Sequence, residues 1–353
     1  MISVARSAGF LLVRFAGAQL HPEETPFARE YASLVDAYRD GSPEKPIEGV
    51  LALDYDQLEE TVRNLVRHVR SDFEQGLDPG FFQAAATLHL DAAVRCWGEE
   101  QGDEATFQIE MARLLVDASE PADAGPGSFR RRWYAASALL VAAHLGPIDA
   151  LKYFDLAVEA VPGDVPLLTA AGWFSERLSD GAAAPGASLR NSQALRRRHQ
   201  RAAERYLAAA VDLDPRAEEP NLRLARIEAL MGRDARAGGR LAALVARHDV
   251  QPFTAYLARL FLGGVRAREG ETRQAERLLR EAIALDPIAQ SARIALAEMR
   301  YAAGDPAGAA EIVEPLATPP AGRDRNDPWA DYRLAYPQVG ALILDQLRDE
   351  VQR

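Results

Sequence analysis

Tyr256–Pro287 reads YLARLFLGGVRAREGETRQAERLLREAIALDP, and Gln290–Ala317 reads QSARIALAEMRYAAGDPAGAAEIVEPLA. Aligned on Gly270 and Gly304, the two stretches are offset by 34 residues. Leu262-Gly263 then meets Leu296-Ala297, Ala275 meets Ala309, and Leu279 meets Val313. Each stretch has two apolar-periodic segments split by a glycine turn, which predicts a pair of helices per repeat. Working upstream, Ala203, Leu207, Ala210 and Pro215 fall in the slots of Ala275, Leu279, Ala282 and Pro287. Ala150, Phe154, Ala157 and Pro162 fill them again.

Residues 218–249 keep Leu224-Ala225, Gly232, Ala237 and Leu241, without a closing proline. Residues 81–121 form a weaker unit around a Gly102-Asp103 turn. A small residue in the first helix, a glycine turn, and alanine, bulky, alanine, proline in the second resembles the tetratricopeptide repeat (TPR). The resemblance covers about six helix pairs over 81–317. It implies an all-α, right-handed solenoid of helical hairpins with capping helices at both ends. Among families of that kind it is similar to exported bacterial repeat proteins.

Small residues such as Gly263, Ala275 and Ala282 belong where two helices cross, since bulk there would drive the axes beyond roughly 8–10 Å. Gly232, Gly270 and Gly304 stand where a first helix ends in a left-handed residue, a conformation glycine adopts without a Cβ penalty. Asp214-Pro215 and Asp286-Pro287 close second helices, because a residue before proline is pushed out of the α region. No pair buries its apolar face alone, so the array stands only as a stack.

The flanks read differently. Residues 1–20 are a signal segment or a plain N-terminus, and two readings stay open. Ala16-Gly17-Ala18 before Gln19 fits a cleavage pattern and export to the periplasm, whereas Arg14 interrupts the apolar run and favours the cytoplasm. A charge at the centre of such a run costs roughly 2.5–3.5 kcal/mol on insertion. Residues 21–80 form an N-terminal helical cap. One amphipathic helix carries Phe27, Tyr31, Leu34, Val35 and Tyr38; another carries Leu58, Val62, Leu65, Val66, Val69 and Phe73. Gly181–Ser188 is an insertion, with the first helix ending near Leu178 and the second starting near Ala194. Residues 318–353, from Pro319-Pro320 through Asp327-Pro328-Trp329 to a helix near Val339–Val351, read as a C-terminal cap.

Composition narrows function. The chain has 353 residues, 48% hydrophobic and 26% charged, with net charge −11, which argues against a nucleic-acid partner. Two lysines, Lys45 and Lys152, leave little for a phosphate-binding loop, and Cys96 alone excludes internal disulfides and multi-cysteine metal sites. No apolar run reaches the ~20 residues that span a bilayer. The six histidines never pair at i, i+4, and no Gly-x-Ser-x-Gly elbow occurs. His89 and His144 on first helices read as hydrogen-bonded interior or groove residues, and Cys96 as a small buried hydrophobe. No catalytic set, cofactor or metal is therefore expected.

The resemblance implies a non-enzymatic scaffold that takes a protein or peptide in a groove lined by first helices. The alternative is a subunit of a self-assembled or larger envelope complex. The family's groove-facing slots fall on Trp173, Glu176, Arg177, Arg226, Arg268, Glu298 and Tyr301, with Trp173 exposed and central. Aromatic and arginine side chains of this kind dominate binding energy at interfaces. A second candidate is the basic run Arg196, Arg197, Arg198 and Arg201. It reads as a docking patch for an acidic partner, as a solvated face, or as a surface that meets the acidic 21–60 segment of another copy.

Overall fold

The computed structural model describes residues 25–41, 43–71, 79–121, 124–125, 127–144, 147–181, 189–317, 327–334, 336 and 339–353. The signal-like stretch around Arg14–Gln19, Phe73, most of the Gly181–Ser188 insertion and Pro319–Gly322 lie outside them. Among the described residues there are 17 α-helices and no strand. They fall into two compact units: residues through Pro162 with the C-terminal helix, and Gly163–Tyr336.

The first unit holds α1 (Pro26–Arg39), α2 (Glu44–Leu51), α3 (Tyr55–Ser71), α4 (Pro79–Gly98), α5 (Gly102–Ser119), α6 (Phe129–His144), α7 (Pro147–Ala160) and α17 (Val339–Val351). Thr25 caps α1, its Oγ1 accepting from the Ala28 N–H at 3.1 Å, and Pro26 supplies a preset first-turn φ. The stripes expected in 21–80 point inward: Tyr31, Val35, Tyr38, Leu58, Val62 and Val66 are buried. Helix α4 is covered nearly all round, including Thr87, His89 and Asp91. Those three side chains are hydrogen-bonded, as buried polar groups generally are. Asp91 accepts from Arg348 of α17 at 2.9 and 3.0 Å and from the Tyr38 hydroxyl at 2.5 Å. Helix α17 approaches α6 at Gly340, where an added Cβ would stand 3.0 Å from Leu139 Cβ. The interior of this unit thus binds the C-terminal helix both by packing and by charge.

The second unit holds α8 (Val165–Gly181), α9 (Leu189–Leu213), α10 (Glu218–Leu230), α11 (Asp234–Ala246), α12 (Pro252–Arg268), α13 (Thr272–Leu285), α14 (Ser291–Ala302), α15 (Pro306–Ala317) and α16 (Pro328–Leu334). The first eight pair in sequence. Gly232, Gly270 and Gly304 all have positive φ, at 76°, 81° and 83°. In each turn the next N–H reaches back five residues to a carbonyl: Arg233 to Glu228, Glu271 to Arg266, Asp305 to Arg300, at 2.8–3.0 Å. Gly263 faces Leu279 so closely that a Cβ would stand 3.0 Å from its Cγ; Gly172 and Leu207 repeat the arrangement at 2.5 Å.

Two boundaries differ from the sequence reading. The α4–α5 turn lies at 99–101, and Gly102 already begins α5. The left-handed residue there is Glu100 (φ 63°), and Gln101 N–H closes the same five-residue bond to Cys96 O at 2.8 Å. The bond pattern overrode the preference for glycine. Helix α9 starts at Leu189, five residues before Ala194, because no Gly or Pro interrupts 189–213.

Candidate functional site

In the second unit α16 lies against the first helices α8, α10 and α12, on the surface where the repeat pattern places a groove. Trp329 and Tyr332 are one helical turn apart and stack at 5.4 Å between ring centroids. Phe261 of α12 meets both edge-on, at 5.6 and 5.5 Å. Arg223 and Arg226, one turn apart on α10, stack over them: Arg223 lies 4.1 Å from the Tyr332 ring and Arg226 4.7 Å from the Trp329 ring. Tyr332 is buried with Leu222, Ala225, Tyr256, Leu257 and Leu262 in one apolar cluster.

The charges converge on Glu176 of α8. Its carboxylate accepts from Arg223 Nη1 at 3.0 Å, from Arg226 Nη1, and from the Tyr332 hydroxyl at 2.6 Å. Arg223, 1% exposed, also donates to Glu219 at 2.8 Å and to the Tyr332 carbonyl at 3.1 Å; Arg226 reaches Asp180 at 3.0 Å. Burial pulls both guanidinium pKa values down, yet the acidic neighbours outweigh it and hold them above the ordinary arginine value. The Tyr332 phenol is pushed far up by burial and then by Glu176, so it stays a donor. Two arginines therefore sit among three carboxylates in mutual hydrogen bonds, the condition under which buried charge is tolerated. The space left among Trp173, Glu176, Arg223, Arg226 and Tyr332 is about 10 Å³, no more than one water occupies.

Asp327, just before α16, ties the segment to α14. Its carboxylate accepts from the Gln290 and Ser291 N–H groups, both at 2.7 Å, and from Ser291 Oγ at 3.0 Å. These are unsatisfied donors of a helix N-terminus, capped by a residue 36 positions away. Asp327 also caps its own helix through the Trp329 N–H at 2.8 Å.

Trp173 is a correction: expected exposed, it is 4% exposed. Its Nε1 donates to the Arg333 carbonyl at 3.3 Å, and Tyr336 lies 4.9 Å from its ring. Neighbouring repeats leave this slot open, and the returning C-terminal segment covers it. Arg177 is exposed, 5.6 Å from the Trp173 ring. Trp173, Glu176, Arg177 and Arg226 are thus brought together around α16. Arg268 stands apart, paired with Asp234 at 2.6 Å, and by that hydrogen bond holds the Asp234 carboxyl below its ordinary value. Sequence reading missed Arg223, Tyr332 and Tyr336. Arg223 had a signal, since Glu219, Arg223 and Arg226 share one face of α10 at helical spacing.

Glu298 and Tyr301 lie elsewhere. With Ile294, Ala297, Ala309 and Val313 they line an open cleft of about 450 Å³ between α14 and α15. Tyr301 is 71% exposed. Arg196, Arg197, Arg198 and Arg201 are all exposed on α9. His89 is a hydrogen-bonded core residue: Nδ1 donates to Gln108 Oε1 at 2.5 Å and Nε2 accepts from Tyr31 at 3.0 Å. Cys96 is buried, and burial raises its thiol pKa. Among the described residues no cluster of three His, Cys, Asp or Glu side chains could hold a metal, and no helix is long and apolar enough to cross a membrane.

A tetratricopeptide-repeat family model matches residues 266–335, from the end of α12 through α16. Over that stretch the chain carries tetratricopeptide repeats. The match takes in α13, the α14–α15 pair and α16, with only the last three residues of α12. Among solved structures, MamA (residues 41 to the end) from Desulfovibrio magneticus RS-1 is 18% identical. It covers 53% of this chain and 93% of its own, with a TM-score of 0.42. A thermophilic TPR protein of Thermus thermophilus is 17% identical over 62% and 100%, at 0.37. Yeast Tom70 is 16% identical over 94% and 66%, at 0.33. No curated protein matches the sequence. The TPR architecture rests on the family match and on the helix pairs, glycine caps and small-residue crossings described above.

Proposed function

We propose that this chain is a non-enzymatic protein-docking scaffold whose partner binds at the α14–α15 face. The Trp173–Glu176–Arg226 part of the groove is held by the chain's own residues 327–336. TPR-type folds typically serve protein interaction, and the observation that favours this face is open space beside an exposed aromatic; the cleft of about 480 Å³ on α10–α11 is as roomy but is lined by Arg236, Arg240 and Arg247 and by no aromatic side chain. About 10 Å³ is left around Glu176, against about 450 Å³ beside Tyr301. An exposed tyrosine flanked by Ile294 and Glu298 offers a large, stiff contact area with a polar tip, the composition favoured at interface centres.

The test is a photoreactive amino acid at Tyr301, compared with the same group at exposed Arg273 on α13. Cross-linking in the native cell should give discrete protein adducts at 301 and none at 273. Equal, diffuse labelling at both positions would remove the docking role.

A further inference from the structure

We propose that the α14–α15 face receives the N-terminal half of α9 from a second copy of this chain, so that copies join head to tail. This deepens the docking role just proposed and rests on it. One repeat upstream, the α12–α13 face is covered by α14, whose Ala292 is buried with Tyr256, Leu278 and Ala282. In that repeat Leu279 is buried, whereas its counterpart 34 residues on, Val313, is only partly so. Among the described residues no further helix covers α14–α15 in the same way. Ile294 stays 43% exposed there. The face is therefore shaped for a helix.

Helix α9 offers one. Gln193–Arg198 are exposed on every side, about one and two-thirds turns of helix that no neighbour among the described residues covers. Ala194, Arg198 and Arg201 stand at i, i+4 and i+7, with Leu195, 43% exposed, beside them. They form one narrow face, apolar at one edge and cationic at the other. The receiving cleft carries the opposite sign: Glu298 lines it, and Glu314 stands one position from Val313 on α15. Neither carboxylate has an ion-pair partner among the described residues, and Arg196, Arg197, Arg198 and Arg201 have none either. In a protein of net charge −11, a cluster of unpaired arginines and an acidic helix-accepting end are complementary features. Both belong to the second unit, and within its own chain α9 packs against α8 and α10, its neighbours in sequence. The pairing with α14–α15 therefore needs another copy. Because the two surfaces differ, the contact is heterologous and propagates into a filament or closes into a ring.

The experiment is sedimentation velocity on the full chain over a hundredfold concentration range, at low and high salt. Mean mass should rise with concentration, and the dissociation constant should increase roughly tenfold or more with salt, since exposed charge pairs are screened. Tyr301→Asp spoils the receiving face, and Leu195→Asp with Arg198→Glu spoils the arm. Each variant keeps the helical circular dichroism spectrum and stays monomeric alone. Mixed, they form a one-to-one dimer and nothing larger, because one intact arm meets one intact face. Glu298→Arg combined with Arg198→Glu should restore association lost in either single change. Self-association of either variant at wild-type strength, or no dimer in the mixture, would overturn the pairing. A wild-type chain that stays monomeric while Tyr301 cross-links to a different protein overturns it too, but leaves the docking face standing. Monomer with no specific cross-link removes both.

Discussion

The Tyr332 hydroxyl donates to the Glu176 carboxylate at 2.6 Å, across 156 residues of chain. Through this contact the last short helix of the second unit completes the hydrogen bonding of a carboxylate on its first. Glu176 in turn pairs with Arg223 and Arg226, which α10 presents one turn apart, and Glu219 and Asp180 supply the further negative charge. The positions of Trp173, Glu176 and Arg226 are here part of the folded interior.

Glu176→Ala should unfold the protein at markedly lower denaturant. It takes a shared carboxylate from two guanidinium groups, one fully buried and left with Glu219, the other left with Asp180, and removing one partner of a buried ion pair costs about 3–5 kcal/mol. Tyr332→Phe keeps the ring and loses one hydrogen bond to a charged acceptor, at about 1.5–3 kcal/mol. Urea midpoints at constant slope provide the comparison. Equal stability of both variants and wild type would mean that the network contributes nothing.

Trp173→Ala should act on stability first. A buried Trp truncated to Ala costs about 3–5 kcal/mol, and the loss should be matched by faster hydrogen exchange in 328–334, the segment that Trp173 holds through the Arg333 carbonyl. An unchanged midpoint would place Trp173 on a free surface after all.

Acid should weaken the first unit through His89. Burial lowers its pKa to about 4 in the native state, against about 6.5 unfolded. As pH falls below 6.5 the unfolded imidazole takes a proton that the native one refuses until about pH 4, so stability drops across that window and levels off below it. The difference in unfolding free energy between wild type and His89→Gln should fall by about 3 kcal/mol from neutral pH to about pH 4. A difference that does not vary with pH would show that His89 titrates normally.

Asp327→Ala should fray α14 from its N-terminus. The carboxylate caps Gln290 and Ser291, and loss of a helix cap costs about 1 kcal/mol. Amide exchange at 290–293 should quicken while α9 amides stay as slow as in wild type. Uniform acceleration would instead report global destabilisation.

The repeats were legible because their determinants are local. Gly232, Gly270 and Gly304 mark left-handed caps that any backbone of this kind needs, and Ala275, Leu279 and Ala282 fall at fixed helical spacing from them. The inward stripes of α1 and α3 could be read in the same way, from apolar periodicity alone. Trp173 could not be. Its slot faces away from adjacent repeats, and what covers it lies about 160 residues later in the chain.

The sequence by itself thus determined that this protein is a stack of helix pairs, where those pairs turn, and which small residues let them cross. Only the tertiary structure decided that Glu176, Arg223 and Arg226 are interior groups, and that Tyr301 and the arginines of α9 are surface ones. Periodicity reports which side of a helix is apolar. It carries no information about which distant segment returns to cover a polar side, since that depends on the summed complementarity of Asp327, Trp329, Tyr332 and Tyr336 with residues far away in the chain.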